Sequence, residues 1–137
     1  MPTHTTSDKP NIFPVLKYQN APAAIAWLSK ALGFDKMMEV PGPDGTIAHA
    51  EMSLGQGVIM IGSARKDPTN PWSTIKQGIY VYVDDVDAHH DRAKAAGAEI
   101  ISAPRDTEYG SREYGVRDPE GNLWGFGSFL PETNTEA

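Results

Sequence analysis

With 137 residues, 39% of them hydrophobic and 22% charged, the chain has an ordinary globular composition and suits a single domain with one buried core. A formal net charge of -6 with no Lys/Arg-rich run argues against nucleic acid as a partner. The absence of cysteine excludes a disulfide framework, a thiolate metal site and a cysteine nucleophile.

The first ten residues contain no apolar stretch and read as a loose start rather than a signal peptide. A β-rich run, Phe13–Tyr18, follows and ends at Asn20, a helix N-cap candidate, with Pro22 in the opening turn. Ile25, Leu28 and Leu32 recur at helical spacing, and Gly33 stands where a left-handed C-cap is needed. Three strands are then predicted, Asp35–Val40, Thr46–Leu54 and Gly57–Gly62, with Pro41–Gly45 and Gly55–Gly57 as turns. Ala64–Gln77, containing Pro68, Asn70 and Pro71, reads as a linker.

The order then repeats. Ile79–Val83 is a second opening strand, and Asp84 or Asp85 caps a helix that carries Val86, Ala93 and Ala96 and ends at Gly97. Glu99–Ser102, Glu113–Arg117 and Asn122–Phe129 are its three strands, with Asp118–Gly121 as a turn. Slid on itself by 64 residues, the chain brings Val15 onto Ile79, Tyr18 onto Tyr82 and Gly33 onto Gly97. At a displacement of 65, Ser53–Gly62 lies over Asp118–Gly127. The expected fold class is therefore α+β, with two βαβββ modules at about 11–63 and 78–130 inside one domain spanning 11–130. A loose tail covers 131–137. No apolar run approaches the roughly 20 residues of a membrane span, so no membrane partner and a cytoplasmic setting are expected.

Two stretches carry a family resemblance, Ala24–Phe34, ending in Leu-Gly-Phe, and Tyr114–Trp124, containing Asp-Pro-Glu-Gly. With the doubled unit, they resemble the glyoxalase/bleomycin-resistance/extradiol dioxygenase (vicinal oxygen chelate) superfamily, most nearly its PhnB-like subgroup. The resemblance implies that each module curves its sheet into a cup with the helix outside, and that the protein is a homodimer. Metal-dependent relatives hold a divalent ion with His and Glu on the first and last strands of each module. Carried over, those positions fall on Phe13 (or Pro14), Met60, Gly78 and Gly125, none of which offers a nitrogen or carboxylate ligand. No metal and no other cofactor is expected.

Strand alternation indicates what lines the cup instead. Ala48, Ala50, Met52 and Leu54 form an apolar face suited to a helix, so Ile47, His49, Glu51 and Ser53 are expected to face the cup. By the repeat, His49 corresponds to Tyr114 and Ile47 to Arg112, while Tyr80 and Tyr82 share the face of Gly78. His49 and Glu51 are candidates for an acid/base pair as well as for ligand binding. Met60, Tyr80, Tyr82, Arg112 and Tyr114 complete the candidate ligand-binding set, Arg112 and Tyr114 as a clamp for an anionic or planar ligand. The His89–His90 pair does not face one way on a helix and is not expected to bind metal. Trp27 and Trp124 read as packing; Trp72, in the linker, is a candidate cover for the cup mouth or a dimer seam, and His4 has no assigned role.

Two functions compete. One is a binding protein that sequesters a small, aromatic or cationic molecule in a metal-free cup, as in antibiotic resistance. The other is a lyase, isomerase or dioxygenase-type enzyme using His49 and Glu51 or a shifted metal site. A third reading is an interaction module with filled cups.

Overall fold

A computed structural model describes residues 13–69, 73 and 76–130. The chain divides into two compact units, Met1–Gln77 and Gly78–Ala137, and each repeats the same path of strand, helix and three strands. The expected α+β fold of two similar modules is what forms. His4, Trp72, the first ten residues and the tail lie outside the described residues.

In the first unit, β1 (Val15–Tyr18) leads into α1 (Ala21–Trp27). The Asn20 side chain caps α1 by accepting from the Ala23 N–H at 3.2 Å, which satisfies one of the helix's orphan donors. The helix widens into a π-turn, Leu28–Leu32, and stops at Gly33, whose φ of 85° is left-handed. Strands β2 (Asp35–Pro41), β3 (Ile47–Leu54) and β4 (Gly57–Ser63) complete a sheet ordered β1-β4-β3-β2. Only the β1–β4 pair is parallel.

The second unit runs β5 (Gly78–Tyr82), α2 (Val86–Ala95), β6 (Glu99–Asp106), β7 (Arg112–Arg117) and β8 (Leu123–Gly127). Its sheet order, β5-β8-β7-β6, reproduces the first. Of the two cap candidates Asp85 does the work, accepting from the Ala88 N–H at 3.0 Å. Strand β6 runs four residues beyond its predicted end at Ser102, tolerating Pro104 because it is an edge strand.

Cross-strand partners share a face, so the register sorts each sheet. In the first unit Leu16, Ile61, Ala50, Met52 and Ile59 form one buried face, joined by Leu28, Ala31 and Leu32 in the core. In the second, Trp124, Phe126, Tyr114 and Val116 form the buried face, with α2 packed on β6 and β7. The other face of each sheet is open. Among the described residues no helix is long and apolar enough to cross a membrane.

Candidate functional site

The open face of the first unit is set by β3 and β4. Glu51 lies directly beside Met60, Met38 beside Glu51, and Val40 beside His49. His49 and Glu51 are bonded, Nε2 to Oε2, at 2.9 Å. An ionised carboxylate can only accept, so Nε2 carries the proton. Both groups remain partly exposed, so the pair is a local orientation device rather than a source of stability.

The strand-alternation argument is corrected at the start of β3. Val40 pairs with His49 but the next residue, Pro41, pairs with Ile47. Ala48 is therefore an extra residue, a bulge that reverses the alternation before it. Ile47 is buried at 4% exposure and Ala48 is exposed, the reverse of the expectation. The buried Ser63 hydroxyl accepts the Ile47 N–H at 2.8 Å and holds the bulge.

A second correction concerns Arg112 and Tyr114. Met60 neighbours Glu51, and Gly125 neighbours Gly115. With Met60 and Gly125 as equivalents, Glu51 corresponds to Gly115 and His49 to Glu113. The extra residue of the second module lies in the β7–β8 turn, Asp118–Asn122, not before β7. A one-residue slip moves a whole strand to the other face, and that is why Arg112 and Tyr114 do not face the cup. Tyr114 is 2% exposed, its ring stacked on Phe126 at 5.3 Å and its hydroxyl 2.6 Å from His89 Nδ1 on α2. Arg112 reaches the same helix, where its Nε and Nη2 donate to Asp87, and it also donates to Asp106. Both aspartates strengthen its hold on its proton. These two side chains pin α2 to the sheet.

The open face of the second unit carries Tyr80, Tyr82 and Glu113 over a floor of glycines. Gly125 pairs with Tyr80 and with Gly115, and Gly127 pairs with Tyr82 and with Glu113. The absence of side chains on this floor is a steric requirement. A Cβ on Gly127 would sit 2.7 Å from Glu113 Cγ and 2.8 Å from the Tyr80 hydroxyl. A cavity of about 220 Å³ opens over the floor, lined among others by Tyr80, Ile101, Ser102, Arg105 and Glu113. Tyr114, Trp124 and Phe126 also border it, but their rings belong to the buried face, so they contribute main chain. Tyr80 donates to the Phe129 carbonyl at 2.5 Å. Burial, then the nearby Glu113 charge, pushes its phenol pKa up. Tyr82 donates to Asp84 at 2.6 Å, and that carboxylate raises its pKa likewise. Tyr109 donates to Glu113 at 2.8 Å, which leaves Glu113 oriented along the cavity wall.

Sequence reasoning thus missed Glu113, Arg105 and Ile101, and treated Gly125 only as a lost ligand position. The Gly-Phe-Gly run at Gly125–Gly127 was the available signal, since two glycines two apart on one strand leave a bare face. As for the carried-over ligand positions, Phe13 precedes β1 and Gly78 pairs with Leu123. Val15 stands beside Met60, and Tyr80 beside Gly125. Among the described residues no group of three His, Cys, Asp or Glu side chains is arranged to hold a metal ion.

Two four-stranded βαβββ sheets with these registers define the fold of one superfamily. A model of the Glyoxalase/Bleomycin resistance protein/Dioxygenase superfamily matches residues 14–126, and the chain belongs to that superfamily. An uncharacterized protein of Mycobacterium bovis, Mb0911c, is 32% identical over 93% of this chain and 89% of its own length. Among solved structures, TioX from Micromonospora sp. ML1 is 37% identical with a TM-score of 0.74, covering 88% of this chain and 100% of that one. TnmS3, an antibiotic binding protein from Streptomyces sp. CB03234, shares the fold with a TM-score of 0.66 at 20% identity, over 85% of this chain and 94% of its own.

Proposed function

We propose that the protein binds a small, flat, partly apolar organic molecule on its open sheet faces and sequesters it without a metal ion, in the manner of an antibiotic-binding member of the superfamily. The observation that carries this reading is the cavity of about 220 Å³ over Gly115 and Gly125. A bare peptide floor and the Tyr80 ring make a slot for a planar group. Glu113 at its edge suits a cationic substituent, and the net charge of -6 favours a cationic ligand's approach. TnmS3 supports the reading in that this fold is used for antibiotic binding. His49, Glu51 and Met60 form a second ligand-facing surface in the first unit, and Tyr82 extends the Tyr80 face. The family's metal positions carry Val15 or Phe13, Met60, Tyr80 or Gly78, and Gly125, a donor set unsuited to a divalent ion. The protein is read as cytoplasmic and as a homodimer.

The test is calorimetric titration of planar aromatic compounds, neutral and cationic, into protein purified without chelator, with metal content measured on the same sample. Saturable binding without stoichiometric metal or product is the expected result. Tyr80→Ala is expected to weaken that binding about tenfold through lost stacking and area. Stoichiometric metal, or binding that is indifferent to Tyr80, overturns the reading.

The 2.9 Å contact between His49 and Glu51 supports one alternative, a lyase, isomerase or dioxygenase-type reaction with His49 as the base. Turnover abolished by both His49→Ala and Glu51→Gln would establish it.

A further inference from the structure

The open face of the first unit holds a cation that none of the assignments above uses. Lys17 lies on β1 directly beside Gly62 of β4. It shares a face with Val15, the neighbour of Met60, and therefore with Glu51, Met60's other neighbour. A Cβ on Gly62 would sit 3.0 Å from Lys17 Nζ, 3.7 Å from its Cδ and 3.5 Å from the Ala48 carbonyl oxygen of β3. The lysine thus lies flat across the sheet, with its ammonium over the glycine and next to the strand that carries His49. A methyl group at position 62 would press on the flexible end of this side chain, which would have to give by a few tenths of an ångström.

Lys17 is half-buried as a residue, and among the described residues it has no ion pair or hydrogen-bond partner. Glu51, a carboxylate on the same face, is engaged by His49 instead. A half-buried lysine whose donors are unused among the described residues is set to receive an acceptor from outside the chain. The Ala48 carbonyl, which also lies near Gly62, is neutral, so the lysine's charge is left to be matched.

We infer that Lys17, laid over Gly62 beside His49, is the recognition point for an anionic oxygen group, a carboxylate or a similarly placed acidic oxygen, on the ligand of the first unit's open face. The inference rests on the reading of the open faces as small-molecule sites and names the ligand chemistry of one of them. It gives the two units different tastes. The second unit offers a glycine slot edged by Glu113, and the first offers an ammonium beside an imidazole that Glu51 keeps oriented.

The experiment uses the full chain and two probes of one shape, benzoate and benzamide, titrated at constant ionic strength while the ring resonances of His49 are followed by NMR. Benzoate is expected to move them saturably and benzamide to move them weakly. A charge-assisted hydrogen bond is worth enough that Lys17→Gln should weaken benzoate binding about tenfold, with Lys17→Arg retaining most of it. Gly62→Ala, which drives a methyl group into the lysine's path, should weaken it in the same direction while Lys17 remains. Benzoate and benzamide binding equally, benzoate leaving His49 unmoved, or Lys17→Gln binding benzoate as tightly as the natural chain each overturns the inference. The small-molecule reading is judged separately by the Tyr80 titrations, which report on the other unit.

Discussion

Tyr114 shows how far one residue's role depends on which face its strand presents. Its hydroxyl lies 2.6 Å from His89 Nδ1, and burial raises its pKa well above the ordinary value of 10.0. The hydroxyl is therefore a structural bond between β7 and α2, not a group available to a ligand. Its linkage to pH has a definite sign. The folded state keeps the proton when a tyrosine in the unfolded chain releases it, so the folded state binds more protons above about pH 10. The stability Tyr114 contributes is complete below that pH and is lost as pH rises through the range. Tyr114→Phe is expected to cost about 1 kcal/mol near neutrality through the lost hydrogen bond, yet to lose less stability than the natural chain between about pH 9 and 11. Thermal melts of the two proteins across that range measure the difference, and parallel curves would refute it. Tyr80, Tyr82 and Tyr109 also have raised pKa values; being common to both proteins, they cancel in the comparison.

At the scale of elements, the β7–β8 turn organises the second unit. The Asp118 carboxylate is 2% exposed. It accepts from the main-chain N–H groups of Glu120 and Asn122, each at 3.0 Å, from Asn122 Nδ2 and from the Trp124 indole N–H at 3.1 Å. One buried anion thus sets the turn, the start of β8 and the orientation of Trp124, whose ring stacks on Phe126 beneath the glycine floor. Asp118→Ala would leave those buried donors unpaired. The expected loss is about 2–4 kcal/mol, read as a lower urea midpoint, with the open-face cavity losing ligand affinity because its floor moves. A variant of unchanged stability would show that the network is incidental. The same turn is one residue longer than its counterpart in the first module, so the element that carries the Asp-Pro-Glu-Gly sequence also displaces the repeat register.

For the whole molecule, the sheet edges bear on assembly. Strand β2 is an edge strand, exposed along its whole length, and carries Met37, Met38 and Val40 at 55%, 39% and 43% exposure. Exposed apolar side chains on an unpaired edge are normally covered by a partner. Sedimentation equilibrium is expected to give twice the chain mass, and Met38→Lys, which puts a charge on that edge, to shift the protein toward the monomer. A natural chain that sediments as a monomer would remove the homodimer. The amino-acid sequence by itself determined the two βαβββ modules, because hydrophobic periodicity, N-cap candidates (Asn20, and Asp84 or Asp85) and glycine C-caps are local signals repeated twice. It also located His49, Glu51, Met60, Tyr80 and Tyr82 on strand faces that the structure leaves open. Tertiary structure alone decided the register. The Ala48 bulge and the longer Asp118–Asn122 turn each shift alternation by one residue, and side chains on a strand change face at every residue. That is why Ile47, Arg112 and Tyr114 belong to the helix side, while Glu113 and Lys17 emerge on the open faces. A pattern of period two carries no memory of where its one extra residue was inserted; only hydrogen-bonded neighbours do.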